Sequence, residues 1–236
     1  MVTITVIVPA AGCGARAGLD GNKILAPLSE RPLLTWTLEA LLNAPWREAN
    51  AQLVQLVVVA REDEFPLVRL ATPTLPDGVD FTLVQGGNTR QDSVEAGVEA
   101  STGAYVLVHD AARPCLSGEL IVRATQKGVR AGAAIAALPA SDTVKWAQEK
   151  KPDEIKSTLP RERVHLAQTP QVFWRGTLVK AFKKARETGF NGTDCSSLVE
   201  NAGGRVALVE GERTNIKVTF PDDLVRAETI LARGLS

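Results

Sequence analysis

Short apolar runs alternate along this chain with segments in which apolar residues recur at helical spacing. The runs occupy 4–8, 53–60, 105–108 and 133–138, and each is nearly continuous in apolar residues. Short runs of this kind, separated by helices, are typical of parallel strands that are buried on both faces. The pattern therefore predicts an α/β protein with a mostly parallel sheet and helices on both of its faces.

Helical spacing is clear in the leucine-rich segment 33–42. Proline suits the first turn of a helix, so we expect Pro221 near the start of the last helix, with Thr219 as a nearby cap. Further helices are predicted at 91–101, 117–131, 175–188, 194–202 and 221–233.

The segment from Pro139 to Thr169 departs from this alternation, because it is strongly charged and has too few apolar residues to pack against a sheet. Within it, 143–146 and 155–159 predict two ribbons joined by a Lys-Pro-Asp turn, and thus a projecting β-hairpin arm at about 139–165. Two strands alone are marginally stable in water, so we expect the arm to rest on a second copy of the chain. A long surface loop is the alternative.

Composition limits the classes of protein that the chain could represent. The chain has 236 residues, is 44% hydrophobic and has no linker-like stretch, which favours a single domain that spans residues 1–236. Because it carries no net charge, we expect no nucleic-acid partner. Cys13, Cys115 and Cys195 are too scattered for a disulfide framework or a zinc site. No apolar run reaches 18 residues and the first strand begins near Ile4, so we expect a cytoplasmic protein without a membrane span.

The first strand opens into a glycine-bearing loop, 9–16 (PAAGCGAR), and Lys23 follows seven residues after Arg16. Backbone N–H groups and fixed cations after a strand are the groups that bind a polyphosphate. We interpret the loop as a nucleoside triphosphate site. Open sheets bind ligands at the carboxyl ends of their strands, where this loop and the other polar motifs fall.

Other glycine loops fit this stretch less well. Gly12, Gly14 and Ala17 satisfy the spacing of a dinucleotide-binding turn, but the residues that follow are typical of a loop rather than a crossover helix. No G-x-x-x-x-G-K-[ST] motif of a P-loop occurs in the sequence. A tight turn with incidental charges remains an alternative.

A second motif, 105–114 (YVLVHDAARP), delivers an acid and a cation at the end of a strand. Mg²⁺ takes oxygen ligands and completes its shell with water and substrate phosphates, so Asp110 is a candidate metal ligand. A structural ion pair between Asp110 and Arg113 is the alternative. With only His109 and His165 in the chain, a histidine metal cluster is excluded.

Two further motifs offer polar groups. In 85–93 (QGGNTRQDS), adjacent glycines allow close approach to a ligand, and Asn88 and Ser93 can both donate and accept hydrogen bonds at a base edge. A capped turn is the alternative there. The segment 214–219 alternates like a strand and would place Lys217 beside Asn215 and Thr219 on one face, although a solvated lysine is the simpler interpretation.

Five blocks of sequence run in order over nearly the whole chain: 9–16, 86–93 (GGNTRQDS), 109–114 (HDAARP), 169–171 (TPQ) and 215–219 (NIKVT). Together they resemble the signature set of the 2-C-methyl-D-erythritol 4-phosphate cytidylyltransferase family. The resemblance implies a Rossmann-like nucleotidyltransferase fold, a homodimer with exchanged arms and a requirement for Mg²⁺. It also implies the reaction of CTP with methylerythritol phosphate to give a CDP-alcohol and pyrophosphate.

The resemblance further implies roles for individual residues. The catalytic cations fall on Arg16, Lys23 and Lys217, and the metal ligand falls on Asp110. The nucleotide contacts fall on Ala10, Ala11, Gly12, Gly14, Gly87, Asn88, Arg90 and Ser93. The contacts to the sugar phosphate fall on Arg113, Thr193 and Lys217 of one chain, and on Thr143 and Arg161 in the arm of a second copy.

Three other functions remain open at this point. A different polyol phosphate, such as ribitol 5-phosphate, would leave the triphosphate half of the site unchanged. A regulatory module could bind the nucleotide without chemistry, although a binder needs no cation at the reacting phosphorus. An NAD-dependent oxidoreductase is disfavoured by the loop sequence.

Overall fold

The computed structural model of the protein describes residues 1–12 and 22–234. The strands are β1 (Val2–Pro9), β2 (Pro27–Leu28), β3 (Arg31–Pro32), β4 (Ala51–Ala60), β5 (Asp80–Gln85), β6 (Tyr105–Val108), β7 (Ala133–Pro139), β8 (Val144–Ala147), β9 (Ile155–Leu159), β10 (His165–Trp174) and β11 (Ala207–Glu210). The helices are α1 (Leu33–Leu42), α2 (Phe65–Ala71), α3 (Arg90–Glu99), α4 (Gly118–Ala131), α5 (Arg175–Thr188), α6 (Cys195–Asn201) and α7 (Pro221–Ala232). Short 3-10 turns lie at Lys23–Leu25, Glu62–Glu64 and Arg161–Arg163.

The central sheet of the described residues has seven strands in the order β11-β7-β10-β6-β1-β4-β5. Neighbouring strands run parallel except at β10, which is antiparallel to both β6 and β7. The four apolar runs found in the sequence all lie within sheet strands, namely β1, β4, β6 and β7. The predicted mostly parallel α/β sheet is therefore confirmed.

Alternating residues of β1 show how both faces of the sheet are buried. Val6 and Val8 belong to the core cluster that includes residues of α1, α2 and α4, whereas Ile7 belongs to the cluster that includes residues of α3, α5 and α6. All three side chains are fully buried. Helices cover both faces, which explains why the strand sequences are almost continuously apolar rather than alternating.

Parallel pairing of β1 with β4 and β6 brings the carboxyl ends of these strands to one edge of the sheet. The loops after Pro9, Ala60 and Val108 consequently meet there. Parallel pairing of β4 with β5 adds the loop after Gln85 to the same edge. This edge is where the sequence motifs were expected to gather.

The hairpin arm is present and forms a sheet of its own. Strands β8 and β9 pair antiparallel, with Val144 opposite Leu159, in a two-stranded sheet separate from the central one. Trp146 and Ile155 on this hairpin are 55% and 61% exposed.

Two local predictions near the end of the chain are wrong. Segment 214–219 forms no strand. Asn215 is fully buried whereas Lys217 is exposed, so the two side chains do not share an outward face. The Val218 N–H donates to the Ala112 carbonyl at 2.8 Å. Thr219 does not cap α7, because the cap position belongs to Phe220. Pro221 does lie in the first turn, as expected.

Among the helices in the described ranges, none combines the length and the apolar character needed to cross a lipid bilayer.

Candidate active site

A cavity of about 390 Å³ lies at the carboxyl edge of the sheet. It collects the loop after β1, the turn that contains Lys23, the loop between β5 and α3, the loop after β6, and Lys217. Its lining residues are Pro9, Ala10, Ala11, Gly12, Asn22, Lys23, Ile24, Gly87, Asn88, Thr89, Arg90, Ser93, Asp110, Ala111, Ala112 and Lys217.

A second, more open depression of about 580 Å³ is lined by Arg61, Glu62, Asp63, Gln85 and Gly86. Its two carboxylates outnumber its one guanidinium, so its charge does not favour a polyphosphate. The lysine-lined cavity is the better candidate for an anionic ligand, because anions bind where positive charge and backbone donors converge.

Glycines allow the loops of the cavity to lie unusually close together. A Cβ placed on Gly86 would come 2.4 Å from the Cβ of Ala11, and one on Gly87 would come 2.4 Å from the Cβ of Asp92. The Gly87 N–H donates to the Ser93 hydroxyl at 3.2 Å, and that hydroxyl donates to the Thr89 carbonyl at 2.9 Å. Ser93 therefore holds this loop in shape from the first turn of α3.

Helix α3 begins at this loop with a reciprocal cap. The Thr89 hydroxyl accepts from the Asp92 N–H at 3.1 Å, and the Asp92 carboxylate accepts from the Thr89 N–H at 2.9 Å. A cap of this kind satisfies backbone donors that the first helical turn leaves unpaired. It fixes the direction in which the next side chain, Arg90, leaves the backbone.

Asp110 lies at the centre of a cluster of charged side chains. Its Oδ1 accepts from Arg90 Nη2 at 3.0 Å and from Arg90 Nε at 3.3 Å, and its Oδ2 accepts from Lys217 Nζ at 2.8 Å. Arg113 Nε lies 3.8 Å from the same Oδ2. One carboxylate thus faces three cations, which leaves an excess of positive charge beside the cavity.

The charges in this cluster shift one another's proton affinity. Burial alone would raise the pKa of Asp110, but attraction to Arg90, Lys217 and Arg113 is stronger in sum and holds that pKa well below its ordinary value. Burial alone would lower the pKa of Arg90, yet the Asp110 charge raises it above its usual range. Asp110 is therefore ionised and Arg90 protonated near neutral pH.

His109 anchors the loop that presents Asp110. The imidazole is fully buried, with Nε2 3.2 Å from the Arg113 carbonyl and Nδ1 3.1 Å from the Thr169 hydroxyl. A carbonyl only accepts, so Nε2 carries the proton and Nδ1 accepts from Thr169. The Thr169 hydroxyl also accepts from the Asp110 N–H at 3.0 Å. No local sequence pattern indicates this link between His109, Thr169 and Asp110.

The segment that carries Lys217 is hydrogen-bonded to Thr169 and Arg113. The Asn215 side chain donates to the Thr169 carbonyl at 2.7 Å, and the Asn215 carbonyl accepts from Arg113 Nη1 at 2.6 Å. These two hydrogen bonds of the buried Asn215 place Lys217, two residues on, next to Asp110. The Lys217 side chain itself is 41% exposed.

The structure gathers most of the predicted site residues around one cavity. Lys23, Lys217, Asp110 and Arg90 all line it, together with Ala10, Ala11, Gly12, Gly87, Asn88 and Ser93. Arg16 and Gly14 lie outside the described residues. Their predicted roles remain predictions.

The residues predicted to bind the sugar phosphate are, apart from Lys217, not among those that line the cavity. Arg113 lies behind Asp110 and is 8% exposed. Thr193 is exposed just before α6. Thr143 and Arg161 lie at the base of the arm, where Arg161 Nη1 donates to the Ser141 carbonyl at 3.2 Å. Within the described part of the chain, Thr143, Arg161 and Thr193 are not part of the cavity lining, whereas Arg113 reaches it through Asp110.

The donor set fits a divalent ion that arrives with a polyphosphate better than a resident one. Within the described residues, no group of three or more His, Cys, Asp or Glu side chains could hold a metal. Asp110 offers one hard carboxylate donor at the cavity, and Mg²⁺ commonly uses one or two carboxylates and takes the rest from phosphates and water.

The buried His109 makes stability depend on pH in a defined window. Burial lowers the pKa of His109 from 6.5 to about 4. As the pH falls from 6.5 to 4, His109 becomes protonated in the unfolded chain but stays mostly neutral in the folded chain. The free energy of unfolding should therefore decrease. Urea unfolding followed by circular dichroism should show this decrease. His109→Asn should flatten it, whereas the exposed-site control His165→Asn should not. A wild-type stability that is constant or rises over this range would contradict the assignment.

Comparison with known proteins gives one family. Residues 4–233 match the model of the family described as IspD, 2-C-methyl-D-erythritol 4-phosphate cytidylyltransferase. The chain is 39% identical over 227 residues to the enzyme of that name from Bacillus licheniformis, covering 96% of this chain and 94% of the relative. It is also 39% identical over 237 residues to the one from Syntrophotalea carbinolica, covering 98% and 97%.

Solved structures of the same name share the fold. The crystal structure of 2-C-methyl-D-erythritol 4-phosphate cytidylyltransferase from Thermus thermophilus aligns with a TM-score of 0.75 at 36% identity, covering 97% of this chain and 98% of that one. The matches extend over nearly the full length of both chains, and the lysine-lined cavity falls within them. The chain therefore belongs to the 2-C-methyl-D-erythritol 4-phosphate cytidylyltransferase family.

Proposed function

We propose that the protein transfers a cytidylyl group from CTP to 2-C-methyl-D-erythritol 4-phosphate, giving 4-diphosphocytidyl-2-C-methyl-D-erythritol and pyrophosphate. The observation that carries this proposal is the cavity lined by Lys23 and by the two cations that contact Asp110, Arg90 and Lys217. The chain that holds it matches the family from residue 4 to residue 233. The alternative acceptor, ribitol 5-phosphate, has no comparable support.

The difficulty of this reaction is electrostatic. A sugar phosphate has to approach the α-phosphate of a triphosphate, and each pair of like unit charges about 4 Å apart costs about 4 kcal/mol at an effective dielectric constant near 20. Cations fixed beside the reacting phosphates offset this repulsion. The excess of positive charge around Asp110 is suited to that task.

The chemical step requires little from a base. An oxygen of the sugar phosphate attacks the α-phosphorus, and pyrophosphate leaves from the opposite side. A phosphate monoester is already ionised near neutral pH, because its second pKa is about 6. The contribution of the protein is to position the reactants and to stabilise the charge that builds on the nonbridging oxygens, which we assign to Lys23, Lys217 and Arg16.

Asp110 is the proposed ligand of a magnesium ion that enters with CTP. Such an ion would neutralise phosphate charge and polarise the phosphorus centre. The Lys217 side chain is 41% exposed, so its ammonium can turn from Asp110 Oδ2 towards a phosphate and leave that oxygen to the metal. Arg90 stays on Oδ1 and keeps the carboxylate ionised and oriented.

The nucleoside is assigned to the loops on the other side of the cavity. Ala10, Ala11 and Gly12 line the cavity after β1, Gly87 and Asn88 offer backbone and amide groups before α3, and Ser93 lies in the first turn of α3. Groups that both donate and accept can match the edge of a cytosine ring. Gly14, in the same loop as Gly12, is expected to contribute there too.

The acceptor site is proposed to form only in a homodimer. Arg113 and Thr193 would come from one chain, and Thr143 and Arg161 from the arm of the second copy. The exposed Trp146 and Ile155 support this arrangement, because a two-stranded hairpin needs apolar contact with something else to be stable. The proposed location is the cytoplasm, which the buried free thiols of Cys115 and Cys195 suit.

The choice of base and acceptor tests the function itself. Pyrophosphate release should be measured with each of the four ribonucleoside triphosphates, and with either 2-C-methyl-D-erythritol 4-phosphate or ribitol 5-phosphate as acceptor. We expect release with CTP and the methylerythritol phosphate, and a dependence on added Mg²⁺. Release with the ribitol phosphate alone, or nucleotide binding without release, would refute the proposal.

Replacing Lys23 tests the electrostatic part of the mechanism. Lys23→Ala should lower kcat by at least about 100-fold with the fold intact, because it removes a cation that acts on the transition state. Lys127→Ala, an exposed lysine on α4, is the matched control and should leave kcat unchanged. Full activity in a folded Lys23→Ala protein would show that this lysine is not catalytic.

Mixing two inactive variants tests the shared site. Lys23→Ala and Arg161→Ala remove groups that, in an exchanged-arm dimer, belong to different chains of the same site. After subunit exchange, half of the dimers should be mixed and each should hold one intact site, so activity should recover to about a quarter of wild type. No recovery, with mixed dimers demonstrated by native mass spectrometry, would mean that each chain builds its own complete site.

A further inference from the structure

The side chain of Asn22 joins three parts of the chain at the wall of the cavity. Its Nδ2 donates to the Ala10 carbonyl at 2.8 Å and to Glu64 Oε2 at 2.9 Å. Its Oδ1 accepts from the Ile24 N–H at 3.4 Å and so caps the turn Lys23–Leu25. Asn22 is only 7% exposed. Both ends of this amide are therefore engaged with protein, and its bonds reach the two segments that present Ala10 and Lys23 to the cavity.

The orientation of the amide is fixed by its partners. Two acceptors face Nδ2 and one donor faces Oδ1, so a flipped amide would place an acceptor against two acceptors. Glu64 is itself held in place, because its residue is 5% exposed and its Oε1 pairs with Arg61 Nη2 at 3.1 Å. The carboxylate therefore determines which way the amide of Asn22 points.

We propose that Asn22, oriented by Glu64, is a positioning residue that holds the Lys23 turn in register with the loop after β1. The Ala10 carbonyl belongs to the loop assigned to the nucleoside, and Lys23 is assigned to the phosphates, so one amide sets the distance between the two halves of the nucleotide site. This inference rests on the proposed catalytic role of Lys23. A catalytic group displaced by about 1 Å can cost on the order of 100-fold in rate.

Neighbouring packing supports a role in register rather than in general stability. Ile24, the residue after Lys23, is 3% exposed in the core, and the Leu25 N–H returns to the Asn22 carbonyl at 2.9 Å. The turn is thus already closed by its own backbone bond and anchored by an apolar side chain. What the Asn22 amide adds is the link from this turn to Ala10 and Glu64.

The test is a double-mutant cycle read as kcat for pyrophosphate release. Asn22→Asp keeps the shape of the side chain but presents acceptors to the Ala10 carbonyl and to Glu64, and should lower kcat by about 10-fold or more. In the Lys23→Ala background the same change should cost less than about 2-fold, since residues that act through one group are not additive. A change that only weakens the fold would cost the same factor in both backgrounds.

Restoring the hydrogen bond provides a second readout. When Asn22→Asp is combined with Glu64→Gln, the introduced glutamine amide can donate to the introduced aspartate carboxylate. The kcat should then recover by about 5-fold relative to Asn22→Asp alone. If Asn22→Asp does not fold, Asn22→Ala replaces it in the cycle, because it deletes the same bonds without adding a charge.

The matched control is Gln55→Glu, another buried amide changed to a carboxylate. Gln55 is 4% exposed, and its Nε2 donates to the Thr82 hydroxyl and to the Ala100 carbonyl, both at 3.1 Å, away from the cavity. It should lower thermal stability while leaving kcat per folded molecule within about 2-fold of wild type.

The possible results distinguish the catalytic role of Lys23 from the positioning role of Asn22. An active Lys23→Ala protein would overturn the catalytic role of Lys23 and the positioning role with it. If Lys23→Ala has a low kcat and Asn22→Asp still lowers that kcat by the same factor as in the wild-type background, the positioning role alone would be overturned. Loss of the Asn22→Asp effect in the Lys23→Ala background, with partial recovery through Glu64→Gln, is the result that the proposal requires.

Discussion

One buried carboxylate, Asp110, is held simultaneously by cations from three separate parts of the chain. Arg90 comes from the start of α3, Arg113 from the loop after β6, and Lys217 from the segment before α7. A carboxylate that is only 8% exposed is costly to bury unless charges and hydrogen bonds compensate it. Because each partner is delivered by a different element, the cluster forms only when the whole carboxyl edge of the sheet is assembled.

The same cluster gives the cavity its charge. Three cations around one anion leave the surroundings positive, and Lys23 lies in the same lining. The Thr169 hydroxyl donates to His109 Nδ1 and the Thr169 carbonyl accepts from the Asn215 amide, and these buried hydrogen bonds hold the two charged segments together. A preorganised positive site of this kind attracts a triphosphate and requires little rearrangement when charge moves during phosphoryl chemistry. In the proposed reaction the scaffold therefore supplies mainly electrostatic stabilisation.

The sequence predicted the parts of this fold that depend on local pattern and missed those that depend on distant partners. Strands β1, β4, β6 and β7 and six of the seven helices in the described ranges follow from apolar spacing. Strand β10 was missed because Gln168, Thr169 and Pro170 interrupt its pattern, and segment 214–219 alternates in sequence without having a partner strand. Likewise the motifs located Asp110 and Lys23, but no local pattern indicates that Arg90 reaches Asp110 or that Glu64 orients Asn22, since those contacts arise from the fold.

The central claim is that fixed cations, arranged around Asp110, bring two anionic reactants together at the α-phosphorus of CTP. A crystal structure of the protein with Mg²⁺ and a CTP analogue that cannot be cleaved between the α- and β-phosphates tests it most directly. The account predicts Nζ of Lys23 and of Lys217 within about 2.7–3.2 Å of phosphate oxygens, the distance of a charge-assisted hydrogen bond. A triphosphate bound elsewhere, with both lysines directed away from it and Lys217 still paired to Asp110, would contradict it.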